Sequence, residues 1–145
     1  MTSKNLSESY EKKIEKIKNI FKKKSSADSE RRTELYGEIN TKIVNIVRNK
    51  LLDKKKTLKC LEKAAKEGEN YIVLTNTTSF YRHPLRKLDR NDQYEILHRL
   101  KDYYDRKGDS YVKKEYGPDF FLEVQDEPGF FWSVFCRLVL KYNPD

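Results

Sequence analysis

The positive charge of this chain lies in its first half and its aromatic residues lie in its second. Residues 1–68 carry 19 Lys/Arg against 10 Asp/Glu, a surplus of +9, while residues 69–145 carry 12 against 13. The first stretch holds two Tyr and one Phe; the second holds eight Tyr, six Phe and the single Trp132. Burial of apolar surface drives folding, so the core should concentrate in the second half, with lysine-rich helix before it. The expectation is an α+β fold, with N-terminal helices packed on or extending from a small antiparallel sheet crossed by one helix. It divides into a basic helical region, residues 1–56, and an α+β domain, residues 57–145, that ends in a β-hairpin. Hydrophobic residues are 37% of the chain, below the roughly 45–50% of an average globular domain, so that core is modest.

The helices are read from their apolar spacing. Tyr10, Ile14, Ile17 and Phe21 recur at intervals of four, three and four, which puts them on one narrow stripe of a helix from Ser7 to Lys24. Ser25 to Ser29 reads as a polar break, with Asp28 or Ser29 capping a second helix from Glu30 to Leu52. Its wider arc is Tyr36, Ile39, Ile43 and Val47, with Leu35, Ile46 and Leu51 beside it. A third helix starts near Thr57, burying Leu58, Leu61, Ala64 and Ala65, and Gly68 suits the position after its end. A fourth is capped by Asn91 or Asp92 and carries Tyr94, Leu97, Leu100 and Tyr104 at helical spacing.

Strands are expected at Tyr71–Thr75, Ser110–Tyr116, Phe120–Gln125 and Phe130–Tyr142, the last three joined by turns at Gly117-Pro118-Asp119 and Asp126–Gly129. In the final strand Trp132, Val134, Cys136, Leu138, Leu140 and Tyr142 form the core face. The opposite face needs cover at Phe131 and Phe135.

No signature of catalysis is present, and the chain is expected not to be an enzyme. His98 and Asp102 stand four apart on the fourth helix, but no nucleophile, oxyanion turn or metal triad accompanies them. His83, beside Arg82, Arg86 and Lys87, reads as a solvated loop residue. Two His and two distant Cys do not make a zinc site, and no glycine-rich phosphate loop occurs, so neither metal nor cofactor is expected. Cys60 and Cys136, 76 positions apart, read as reduced, buried thiols. There is no apolar run of about 18 residues and the N-terminal stretch has no apolar signal core. The expected setting is intracellular, not secreted and without a membrane span: cytoplasm, or a virion if the chain is viral.

Two kinds of contact residue remain. Lys22, Lys23, Lys24, Arg31, Arg32, Lys54, Lys55 and Lys56 are candidates for binding a polyanion through sequence-independent phosphate contacts. Interleaved glutamates at 8, 11, 15, 30, 34 and 38 give the same segment the look of an ordinary solvated helix surface, and an acidic protein partner also fits. Tyr10, Ile14, Ile17, Phe21, Phe131 and Phe135 are candidates for a protein interface, with protein partners or a homo-oligomer as the occupants.

The segments LEKAAKEGENYIVLT and DYYDRKGDSYVKKEY, with Trp132 beyond them, resemble a small α+β module of uncharacterised proteins of large DNA viruses and phages. Ala64, Ala65, Gly68, Ile72, Leu74, Leu100, Gly108, Tyr111, Val112 and Trp132 carry the likeness, over about residues 57–142. The chain departs from the module in an inserted loop at residues 76–90 and an elaborated hairpin at 117–128. The resemblance implies a viral setting and a virion structural role, of minor capsid type, and transfers no site residue. The expectation is a non-enzymatic interaction or assembly protein, with sequence-independent nucleic-acid binding as the alternative.

Overall fold

The computed structural model describes residues 3–75, 84–126 and 136–144. The fold is α+β, a largely helical chain with one three-stranded antiparallel sheet. Helix α1 runs Ser3–Leu52, α2 Lys54–Lys66, α3 Arg90–Tyr104 and α4 Tyr111–Tyr116; β1 is Tyr71–Val73, β2 Phe120–Asp126 and β3 Cys136–Tyr142. A 3-10 turn, Pro84–Lys87, precedes α3. Two compact units are present, Met1–Leu35 and Tyr36–Asp145.

In the second unit β3 is the central strand and pairs with both others, in the order β1-β3-β2. The register sets Ile72 opposite Leu140, and Leu122 opposite the same Leu140 on the other side. Directly paired residues share a face of a sheet. One face therefore holds Leu122, Leu138 and Leu140, all fully buried, and Cys136 with them. The expected core face of the last strand holds over these residues, and Tyr142 at its end is 42% exposed. The other face is half polar: Arg137 lies over the Tyr71 ring and Lys141 pairs with Glu123. Phe131 and Phe135, where that face is expected to need cover, lie outside the described residues.

Helical cover comes from two long stripes. Ile39, Ile43, Val47 and Leu51 of α1 and Ile96, Leu97 and Leu100 of α3 are buried, as the four-and-three spacing of each predicts. The end of α1 is satisfied by its neighbours rather than by water. Thr57 donates its hydroxyl to the Lys50 carbonyl, and the Tyr116 hydroxyl donates to the Leu51 carbonyl at 2.7 Å. These carbonyls belong to the last turn, which has no partners of its own within the helix. One residue later Asp53 caps α2, accepting from the Lys56 amide at 3.2 Å. The far end of α2 is a Schellman closure: Gly68, at φ +80°, donates to Ala65, and Glu69 donates to Ala64.

Four expectations are corrected. Residues 25–29 are helical, so α1 is one helix and not two. Serine and aspartate lower helix propensity only slightly, alanine favours the helix, and neither glycine nor proline stands there to stop it. Thr33 donates its hydroxyl to the Ser29 carbonyl one turn earlier, at 3.0 Å, as serine and threonine do inside helices. The stretch expected as a strand from Ser110 to Tyr116 is α4, capped by Ser110, whose hydroxyl accepts from the Lys113 amide at 3.1 Å. Helix α3 is capped by Asp89, two or three residues earlier than expected, through the Asp92 amide at 2.9 Å. In α2 the buried residue is Thr57, while Leu58 is 44% exposed and Cys60 lies in the open. The inward stripe is Thr57, Leu61 and Ala64, and Cys60 sits on its flank; only Cys136 fits the expectation of a buried thiol.

Asp105, just past α3, ties three elements together. Its carboxylate accepts from the Ser110 hydroxyl at 2.6 Å, the Leu122 amide at 2.8 Å and the Lys113 ammonium at 3.0 Å. Burial works to raise its pKa, but these donors outweigh it, and the carboxyl titrates below its ordinary value. A group with a lowered folded-state pKa stabilises in full above the unfolded-state value, near 4, and loses that contribution as the pH falls through the folded one. Asp105→Asn should cost about 1.5–3 kcal/mol in urea unfolding at pH 7. The difference from the parent chain should shrink as the pH is lowered below about 4.

Candidate functional site

The first unit consists of helix throughout its described residues, and every residue from 9 to 34 is exposed. Its apolar side chains are no exception: Tyr10 is 63% exposed, Ile14 52%, Ile17 50%, Ile20 66% and Phe21 70%. Residues of these types normally bury most of their surface, at roughly 25 cal/mol for each Å² removed from water. Here five of them lie close together with at least half their surface wet, the pattern of a surface awaiting cover.

Their spacing is that of a coiled-coil seam. With Ile14 and Phe21 at heptad position a, Tyr10 and Ile17 fall at d, and the next d position is Lys24. The e positions flanking the seam are Glu11 and Lys18; the g positions are Lys13 and Ile20. Beyond Phe21 the surface turns polar, with Ser25, Asp28, Ser29 and Arg32 bordering a shallow depression. The seam is therefore two heptads long.

The basic clusters do not make a site of this kind. Consecutive helical residues point about 100° apart, so Lys22, Lys23 and Lys24 fan around α1 instead of sharing a face. Arg31 and Arg32 diverge in the same way. All five are exposed and none makes an ion pair among the described residues. Lys54, Lys55 and Lys56 occupy the first turn of α2, where cations oppose the helix dipole. That terminus is already filled by the Asp53 carboxylate, and Lys54 pairs with Glu115 at 3.6 Å.

The chemically versatile residues have structural roles. His98 is exposed and stacks on Tyr94, ring centroids 5.7 Å apart, rather than pairing with Asp102. Arg90 donates to both oxygens of Asp126 at 3.1 and 2.9 Å, and the Tyr94 hydroxyl donates to the same carboxylate at 2.7 Å. Cys136 stands beside it, its thiol pKa pushed up by burial and by the Asp126 charge. This knot pins the end of β2 to α3. No cluster of three His, Cys, Asp or Glu able to hold a metal occurs among the described residues, and no described helix is long and apolar enough to cross a membrane. His83, Phe131 and Phe135 lie outside the described residues.

One feature gave no signal in the sequence. A groove of about 580 Å³ in the second unit brings Arg48 of α1 against Tyr103 and Tyr104 of α3, Arg106 and Tyr111. The tyrosines were visible as a pair at the end of a helix, but nothing local places Arg48 beside them.

No family model, curated protein or solved structure gives a significant match to this chain.

The cysteines offer a direct check of the second unit. Cys60 should react with a thiol reagent such as 5,5′-dithiobis(2-nitrobenzoate) in the native protein, and Cys136 only after unfolding. Titration before and after denaturant should give one thiol and then two.

Proposed function

We propose that the chain is a non-enzymatic interaction and assembly protein that associates with a second copy of itself through Tyr10, Ile14, Ile17 and Phe21. The exposure of that stripe carries the reading: 50–70% at each of the four residues. A virion structural role, of minor capsid type, is what the resemblance to the viral module would add to it.

The flanking charges select the orientation. In a parallel pair, Lys13 at g faces Lys18 at e of the other copy, and Lys24 at d meets its own counterpart inside the seam. Both contacts set like charges together. In an antiparallel pair, a faces d and e faces e. Tyr10 then packs on Phe21 and Ile14 on Ile17, while Glu11 meets Lys18 twice by symmetry. At g, the aliphatic stem of Lys13 lies over Ile20, which accounts for an isoleucine standing outside the seam. A sequence-independent phosphate-binding role for Lys22–Lys24, Arg31 and Arg32 is the second reading, favoured by the lack of ion pairs at all five among the described residues.

Sedimentation equilibrium of the full chain should show a concentration-dependent dimer. Ile17→Asp would place an unpaired carboxylate in the seam at a cost of roughly 3 kcal/mol or more, weakening it about a hundredfold or more. A spin label at Ser26→Cys, with Cys60→Ser, reports orientation. The helical rise puts antiparallel labels roughly 30 Å apart along the axis, against roughly 10–15 Å for parallel neighbours. A monomer at all concentrations, or a short distance, would count against the antiparallel pair.

A further inference from the structure

We propose that the groove formed by α1 and α3 in the second unit binds single-stranded nucleic acid, with phosphates on Arg48 and Arg106 and a base stacked on Tyr103. The groove of about 580 Å³ continues into a second of about 330 Å³ that shares Arg48, Tyr103 and Tyr104 and adds Arg99.

Three observations point to this ligand class. The first is Tyr103, 76% exposed on a helix whose Ile96, Leu97, Leu100 and Tyr104 are buried. The outer face of its ring is open to a ligand while its edge rests on the buried Tyr104. The second is that the ring is braced. It stands edge-on to Tyr104, centroids 4.8 Å apart at 81°, and Tyr104 in turn meets Tyr111 at 6.0 Å and 67°. A braced ring loses little freedom when a partner stacks on it. The third is the charge. Arg99 and Lys114 are neutralised by Glu95 and Asp109. The guanidinium groups of Arg48 and Arg106 make no hydrogen bond or ion pair among the described residues, although the Asp109 carboxylate in the same groove lies within electrostatic reach of Arg106.

A guanidinium fork fits a phosphate with two parallel hydrogen bonds, and an exposed tyrosine offers a stacking face to any base. A ligand that uses both carries an anion and a planar ring side by side, as a nucleotide does. A duplex hides its base faces in the stack, so a single strand is the macromolecular form that can reach Tyr103. The residues differ from the lysine clusters, and the site needs no self-association through Tyr10–Phe21.

The test is fluorescence anisotropy of the full chain with a fluorescein-labelled twelve-residue oligothymidylate, the matching duplex and, as competitor, thymidine monophosphate. The single strand should bind more tightly than the duplex. Tyr103→Ala should weaken it roughly 5- to 150-fold and Tyr103→Phe should not. Arg48→Gln with Arg106→Gln should lower the slope of log affinity against log salt by about 1.4, at 0.7 for each phosphate. Circular dichroism of each variant should match that of the parent, since Tyr103 is exposed. Equal competition by the monophosphate would support the groove and make a free nucleotide its ligand. Binding that survives Tyr103→Ala but is lost when Lys22, Lys23, Lys24, Arg31 and Arg32 become Gln would overturn the groove and leave the cluster reading standing. No binding to any of the three would overturn the groove outright.

Discussion

The second unit hinges on a single carboxylate. Asp105 sits where α3 stops, with its side chain 6% exposed, and it receives an amide from β2, a hydroxyl from the cap of α4 and an ammonium from α4 itself. The amide and the hydroxyl would otherwise be incompletely satisfied polar groups near the core, and such groups cost more than a made hydrogen bond returns. Ser110 is held twice, donating to Asp105 and accepting from Lys113. The turn between α3 and α4 passes through Gly108 at φ +88°, a conformation open to glycine. That turn brings Ser110 back within reach of Asp105. Orienting α4 then places Tyr116, whose hydroxyl closes the end of α1 at Leu51. Sheet, short helix and long helix are thus linked through one anion.

The parts legible in the sequence were those with a long period or an unambiguous terminator. Ile39, Ile43, Val47 and Leu51 announce a buried helical face because the same spacing of four repeats over about three turns. Leu138 and Leu140 announce a strand by alternation, and Gly68 announces a helix end because its φ of +80° excludes most other residues. The illegible parts were short or non-local. Val112 and Tyr116 do share a helical face, but one turn gives too few repeats to outweigh the β-prone Tyr111 and Val112 beside them. Ser25, Ser26, Asp28 and Ser29 carry the same local signal whether they cap a helix or continue one.

The same distinction applies to function. The stripe from Tyr10 to Phe21 was readable as a face, and its exposure was not, because exposure depends on what else packs nearby. The lysine clusters were readable as charge, yet their fanning around α1 follows only once residues 22–24 are known to be helical. The tyrosine groove lay beyond reach altogether: Arg48 and Tyr103 are far apart in sequence and meet only in the fold. What the two units offer differs in kind, a narrow apolar seam in one and a concave aromatic surface bordered by arginines in the other.

The strand order bears on how the chain is made. β1 and β2 do not touch; each pairs only with β3, the central strand. On a ribosome adding about 5–20 residues per second, Tyr71–Val73 emerges roughly 3–13 s before Cys136–Tyr142. Until then both edge strands lack their pairing partner. The β2–β3 pairing is local, whereas adding β1 closes a loop of nearly seventy residues between Tyr71 and Lys141.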